Sequence, residues 1–332
     1  MKKEVEGNYM QEVSIGEIKV PNLCIGTWAW GQKYLWDYGK EYDKHDLEEV
    51  YNYSMDKGVA FFDTAEVYGF GKSEKILGEF IEKYKALHGK RPIIASKYSL
   101  EFPWRLRKGF MRKALMKSMK RLGLDSIDLY FIHSATGIRS IETWVNAIGD
   151  LYEEGLIKAI GVSNYNLEEL KRAYECLDRR GIHLNACQNH YSLLHRKAED
   201  TGILDFCREV NISYLSYMPL AQGILTGKYT VDNMPPGIRG KKYSIEDMKR
   251  IQPLLNAMKS IAKNHGDKSL AQVASNWNMA VGTIPVVGAK NLKQAKSNID
   301  TLSWSLTDEE FALLNKESAQ VKELAKCWWT DV

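Results

Sequence analysis

The chain has 332 residues, 44% of them hydrophobic and 27% charged, with a formal net charge of +4. That balance argues against disorder, and the scattered basic residues argue against a nucleic-acid surface, leaving room for a small basic pocket for a phosphorylated ligand. With no run of about eighteen apolar residues, no apolar signal core near the N-terminus and five cysteines lacking any CxxC pair, the expectation is a cytoplasmic protein with free thiols and no membrane, nucleic-acid or metal partner.

In chain order, residues 11–20 (QEVSIGEIKV) set Gly16 between two short strand-like pieces and predict a hairpin. Eight short apolar runs follow, at 23–26, 60–63, 93–96, 129–132, 159–162, 186–188, 213–216 and 283–286. Each is nearly continuously apolar, as in strands buried on both faces of a parallel sheet. The segments between them carry helical periodicity: Leu47, Val50, Tyr51, Ser54 and Met55 before Gly58, then Met111, Leu115, Met119 and Leu122 before Gly123. Trp144, Ile148, Leu151 and Tyr152 stop at Gly155, and Leu167, Leu170, Tyr174 and Leu177 at Gly181. Repeated strand–helix–glycine–strand units predict a (β/α)8 TIM barrel spanning residues 1–332 as a single domain, with the hairpin at its bottom. An open doubly wound sheet is the alternative, but no GxGxxG follows the first strand. The connection from 217 to 282 is much longer than the others, and its Gly- and Pro-rich first part predicts a long functional loop after strand seven. Thr307 and Glu310 form a capping box for a last helix.

Active sites of such barrels collect at the C-terminal ends of the strands. There the sequence places Asp63, Lys97 and His133 at three successive strand ends, with Tyr68 just past Asp63. Tyrosine has a pKa of about 10, and a neighbouring lysine ammonium favours its phenolate. Asp63 would hold that ammonium in place, Tyr68 would pass a proton to a carbonyl oxygen, and His133 would orient the substrate. No nucleophile or metal-ligand spacing accompanies them, so hydride from a nicotinamide cofactor fits.

The ordered stretches GTWAWG, FFDTAEVYGFGKSE, IIASKY, YFIHS, IGVSNYN, ACQNHYSLL, MPLAQGILTGKY and IPVVGAKNLKQAKSN resemble the motif series of the aldo-keto reductases, over residues 12 to 318. The resemblance implies a barrel enzyme that reduces an aldehyde or ketone to the alcohol, reversibly, with NADP(H) in preference to NAD(H). Its catalytic tetrad falls on Asp63, Tyr68, Lys97 and His133. It places Gly26, Thr27 and Trp28 beside the nicotinamide ribose and pyrophosphate, and Ser163, Asn164 and Gln188 on the carboxamide. Tyr217 would stack on the nicotinamide, and Met218, Pro219, Leu220, Ala221, Gln222 and Lys228 would fold over the pyrophosphate, with Arg239 toward the adenosine. Gly288, Lys290, Gln294, Ser297 and Asn298 would hold the adenosine phosphate. That last placement has physical support, since the segment opens a helix whose N-terminus favours an anion. Ser297, Met218 and Gln294 stand where the family usually has glutamate, serine and arginine. A cofactor-binding regulatory subunit, like the related β subunits of potassium channels, is the alternative function.

Other residues have plainer readings. Asp63 and Lys97 could be a structural ion pair, Glu66 reads as a surface charge, and His190 and His195 read as loop hydrogen-bonders rather than metal ligands. Trp28 and Trp30, with Tyr68 and His133, are expected to line the substrate pocket, and Trp36, Tyr38, Tyr98 and Trp104 to extend its aromatic wall. Trp328 and Trp329 could cover that mouth, pack on the barrel or join a dimer, and a monomer and a homo-oligomer fit the sequence equally.

Overall fold

The computed structural model describes residues 12–100, 109–136, 139–236 and 242–324. Strands β1 (Glu12–Ile15) and β2 (Ile18–Pro21) pair antiparallel, and Gly16 turns between them at φ 57°. The barrel strands are β3 (Cys24–Gly26), β4 (Phe61–Asp63), β5 (Ile93–Tyr98), β6 (Ile127–Ile132), β7 (Ile157–Ser163), β8 (Ala186–His190), β9 (Ser213–Tyr217) and β10 (Ile284–Gly288). All eight expected strands are present, paired in parallel, and β10 closes on β3. They form the (β/α)8 barrel anticipated from the alternation of apolar runs and amphipathic segments.

The helices are α1 (Lys33–Trp36), α2 (Lys44–Asp56), α3 (Lys72–His88), α4 (Gly109–Leu122), α5 (Ile141–Glu153) and α6 (Leu167–Asp178). They continue with α7 (Lys197–Asp200), α8 (Ile203–Glu209), α9 (Ile245–Asn264), α10 (Leu270–Val281), α11 (Leu292–Asp300) and α12 (Asp308–Ala319). In α2 the buried side chains are Leu47, Val50, Tyr51, Ser54 and Met55, the face read from periodicity, and Asp43 closes a capping box with Asp46. Tyr152 departs from its predicted face: it is 38% exposed while Trp144, Ile148 and Leu151 are buried. The capping box of α12 forms between Thr307 and Glu310. The long segment after β9 holds a 3-10 turn at Ala221–Thr226 and then α9 and α10, so it is part loop and part helical layer.

Two packing layers result. Between strands and helices lies the larger apolar cluster, including Leu77, Leu115, Ile148 and Leu170. Inside the barrel a smaller cluster joins Phe61, Leu129, Phe131, Leu215 and Ile284 to Ile15 and Val20 of the hairpin, which plugs the bottom. Phe131 fills the interior because its neighbour Gly161 has no side chain, and a Cβ there would lie 2.3 Å from the Phe131 ring. That ring supports the site above it, with the Lys97 ammonium 6.0 Å from its centre.

Candidate active site

Lys97 is fully buried near the C-terminal end of β5, a position that needs strong partners. Its Nζ donates to Asp63 Oδ1 at 2.5 Å, to the Thr64 carbonyl at 2.9 Å and to Tyr68 Oη at 3.4 Å. The pairing follows from the parallel register, which sets Asp63 opposite Ala95 and so brings the ends of β4 and β5 together. Asp63 is held from a second side by Gln188, whose Nε2 donates to Oδ2 at 2.9 Å. Sequence reading gave Gln188 a cofactor role and missed this link from β8 across the barrel mouth.

The His133 ring lies 5.9 Å from that of Tyr68 at an interplanar angle of 73°. Burial first, then the Lys97 ammonium, push its pKa down to about 3. A neutral imidazole therefore faces the cavity, and its buried Nδ1 has no hydrogen-bond partner among the described residues. The unfolded value is about 6.5, so the unfolded chain binds a proton first as pH falls. This stability contribution is complete above that pH and is lost below it, down to about 3. Urea unfolding of wild type and His133→Gln at pH 7 and pH 5 checks this: the variant should lose less stability on acidification, by about 2 kcal/mol.

A cavity of about 800 Å³ opens over these groups. Of the residues expected from sequence, Gly26, Trp28, Asp63, Tyr68, His133, Ser163, Asn164, Gln188 and Tyr217 line it. So do Met218, Pro219, Leu220, Gln222 and Lys228 of the long loop, and Gly288, Lys290, Gln294, Ser297 and Asn298 after β10. Asn164 sits in the left-handed region (φ 57°), which asparagine tolerates better than most residues. From there its amide donates to the His133 carbonyl at 2.8 Å, while its Oδ1 accepts from Tyr217 Oη at 2.6 Å. At the other end α11 starts on the Asn291 cap, Lys290 N donates to Gln294 Oε1, and Asn298 donates to the Gly288 carbonyl. Space is open at Gly288, where an added Cβ would meet nothing within 4 Å. Lys290 also reaches the opposite loop. Its Nζ donates to the Trp36 carbonyl at 3.0 Å and lies 5.0 Å and 4.8 Å from the Trp36 and Tyr42 ring centres.

Several expectations are corrected. Trp30 is fully buried behind the barrel wall, its indole donating to the Ala289 carbonyl and its ring packed on Phe62 and Phe80. It does not line the substrate pocket. Tyr98 is likewise buried outward against Trp144, and Tyr38 packs on Tyr42. Thr27 lies under the site rather than in it, donating to the Asp63 carbonyl and accepting from Ser73 Oγ. Ala221 is buried within its turn. Glu66 is not a surface charge: it is half-buried and accepts from the Ser99 amide at 2.9 Å, tying the β4 loop to the end of β5. The rings of His190 and His195 stack at 4.0 Å, and the His190 ring is also stacked with that of Tyr217 at 5.6 Å. Neither His190 nitrogen finds a hydrogen-bond partner among the described residues, so this ring serves as a stacking surface behind Tyr217 instead of a loop tether. Arg239, Trp104, Trp328 and Trp329 lie outside the described residues.

Cavity residues the sequence reading did not single out for this site include Glu41, Tyr42, Val67, Phe70, Tyr229 and Asn291. Only Asn291 carried a local signal, a cap residue directly after a strand. Among the described residues no group of three or more His, Cys, Asp or Glu side chains could hold a metal ion, and no helix is long and apolar enough to cross a membrane.

Residues 22–318 match the model of the aldo/keto reductase family. The chain is 35% identical over 310 residues to a chloroplastic pyridoxal reductase of Arabidopsis thaliana, covering 90% of this chain and 84% of that one. It is 28% identical over 312 residues to an aldo-keto reductase of Schizosaccharomyces pombe whose name specifies NADP(+), covering 89% and 87%. The structure of a glycerol dehydrogenase from Gluconobacter oxydans superposes with a TM-score of 0.80 at 26% identity, covering 96% of this chain and 97% of that one.

Proposed function

The chain belongs to the aldo/keto reductase family, and on that premise we propose that it reduces an aldehyde carried on an aromatic ring to the alcohol, reversibly, with NADP(H). The observation that carries this reading is the buried Lys97 ammonium bridging Asp63 and the Tyr68 phenol. Such a charge stabilises the phenolate and makes Tyr68 a usable proton donor at neutral pH.

A bound nicotinamide dinucleotide supplies the hydride. Tyr68 gives its proton to the carbonyl oxygen and recovers it in the reverse direction. Lys97 holds the negative charge that develops on the phenol, and Asp63, fixed by Gln188, holds Lys97. Neutral His133 orients the carbonyl by a hydrogen bond. Tyr217, fixed at its hydroxyl by Asn164 and backed by His190, presents a flat wall for the nicotinamide. NADP is preferred over NAD because Lys228 and Lys290 face the same cavity as the N-terminus of α11. Trp28, in edge contact with Trp36 at 5.2 Å and 6.5 Å from Tyr68, favours a flat apolar substrate, and one relative is named a pyridoxal reductase.

Loss of NADPH absorbance with a panel of aliphatic and aromatic aldehydes, pyridoxal among them, tests the proposal. Oxidation should match alcohol formed mole for mole, survive a chelator and be weaker with NADH. Tight NADPH binding with no oxidation by any aldehyde would instead favour a cofactor-binding regulatory protein.

A further inference from the structure

Phe70 lies two residues past Tyr68, on the turn between β4 and α3, and it lines the cavity although it is 90% exposed. Its backbone is left-handed, at φ 57° and ψ 44°, between Gly69 at φ 56° and Gly71 at φ 85°. That region crowds a bulky side chain, and three successive residues in it are a shape suited to glycine. Phenylalanine at the centre is therefore unfavourable twice, through backbone strain and through a large apolar ring left in water. Among the described residues nothing packs over the ring to relieve this.

The mount is rigid. Phe70 N donates to the Val67 carbonyl at 3.1 Å, and Lys72 N donates to the carbonyls of Gly69 and Tyr68. Gly69 packs so closely on Gly31 that an added Cβ would lie 3.3 Å from the Gly31 oxygen. A ring fixed on the rim, in the cavity that Trp28, Trp36 and Val67 also line, is placed to meet something that enters.

We propose that Phe70 is a specificity-determining residue: its ring covers the apolar face of an aldehyde whose carbonyl is at Tyr68, and selects ring-bearing aldehydes over small aliphatic ones. This rests on the carbonyl-reductase reading. Binding a flat substrate buries the exposed ring, so the cost of leaving that ring in water is relieved only when such a substrate is present.

The test compares benzaldehyde with propionaldehyde for wild type, Phe70→Ala, Phe70→Leu and Phe70→Gly, following NADPH oxidation and the thermal midpoint. The ratio of kcat/KM for benzaldehyde over propionaldehyde should fall about tenfold in Phe70→Ala, chiefly through KM for benzaldehyde. Phe70→Leu should fall between the two. Phe70→Gly should lose discrimination as Phe70→Ala does, with a thermal midpoint no lower than wild type, because glycine removes the strain. A ratio within about twofold of wild type in Phe70→Ala would overturn the proposal while leaving carbonyl reduction standing, since one lost apolar contact should exceed that change. Absence of reduction of either aldehyde by wild type would overturn both.

Discussion

Replacing Tyr68 with phenylalanine should lower turnover by about 10²- to 10⁴-fold, the range for loss of a positioned general acid, while NADP(H) affinity stays within about a few-fold. The change removes one oxygen and little else. Lys97 keeps its bonds to Asp63 Oδ1 and the Thr64 carbonyl, so no buried charge is stranded. The aromatic ring 6.5 Å from Trp28 also remains. Stopped-flow single turnovers with enzyme in excess, together with fluorescence titration of NADPH, separate the chemical step from binding. Undiminished turnover would move the acid elsewhere. Glu66 is then a poor substitute, because its carboxylate is engaged with the Ser99 amide.

Lys97→Met should have the largest effect on stability of any change in the site. It leaves Asp63, 3% exposed, with Gln188 as the one remaining side-chain partner of its carboxylate among the described residues. Breaking one side of a buried pair costs about 3–5 kcal/mol. Urea unfolding should show that loss, and turnover should fall to the level of Tyr68→Phe or below. The double variant Asp63→Asn/Lys97→Met should recover much of the stability, since the stranded charge is gone, and none of the turnover. Equal stability of single and double variants would mean that the pair is not coupled as described. The double variant matters because a purely structural ion pair and a catalytic one predict the same stability and different turnover.

The barrel was readable because two-sided burial leaves its mark in sequence: 93–96 and 129–132 are apolar without alternation, and Gly58, Gly123, Gly155 and Gly181 all take positive φ where helical segments end. The meeting of Asp63, Lys97 and His133 at one mouth was readable for a related reason, since parallel register carries strand ends together wherever the residues lie in the chain. The aromatic wall was not. Trp28 and Trp30 differ by two positions in the loop after β3, yet one faces the cavity and the other the helix layer, because the chain turns between them and Trp30 N bonds back to the Thr27 carbonyl. Tyr98 lies next to Lys97, so strand alternation sends it outward. The hydrogen bond from Gln188 to Asp63 and the His195–His190–Tyr217 stack join residues by geometry alone, and composition gives no sign of either. Phe70 was visible as a letter between two glycines, but only its backbone angles and exposure make it informative.

The most direct measurement is the ultraviolet difference titration of tyrosinate, wild type minus Tyr68→Phe, repeated in a Lys97→Met background. The account predicts one phenol titrating clearly below about 10 in the wild-type background and returning to that value or above when Lys97 is replaced. A Tyr68 phenol that titrates at its ordinary value, or whose titration ignores the loss of Lys97, would contradict it.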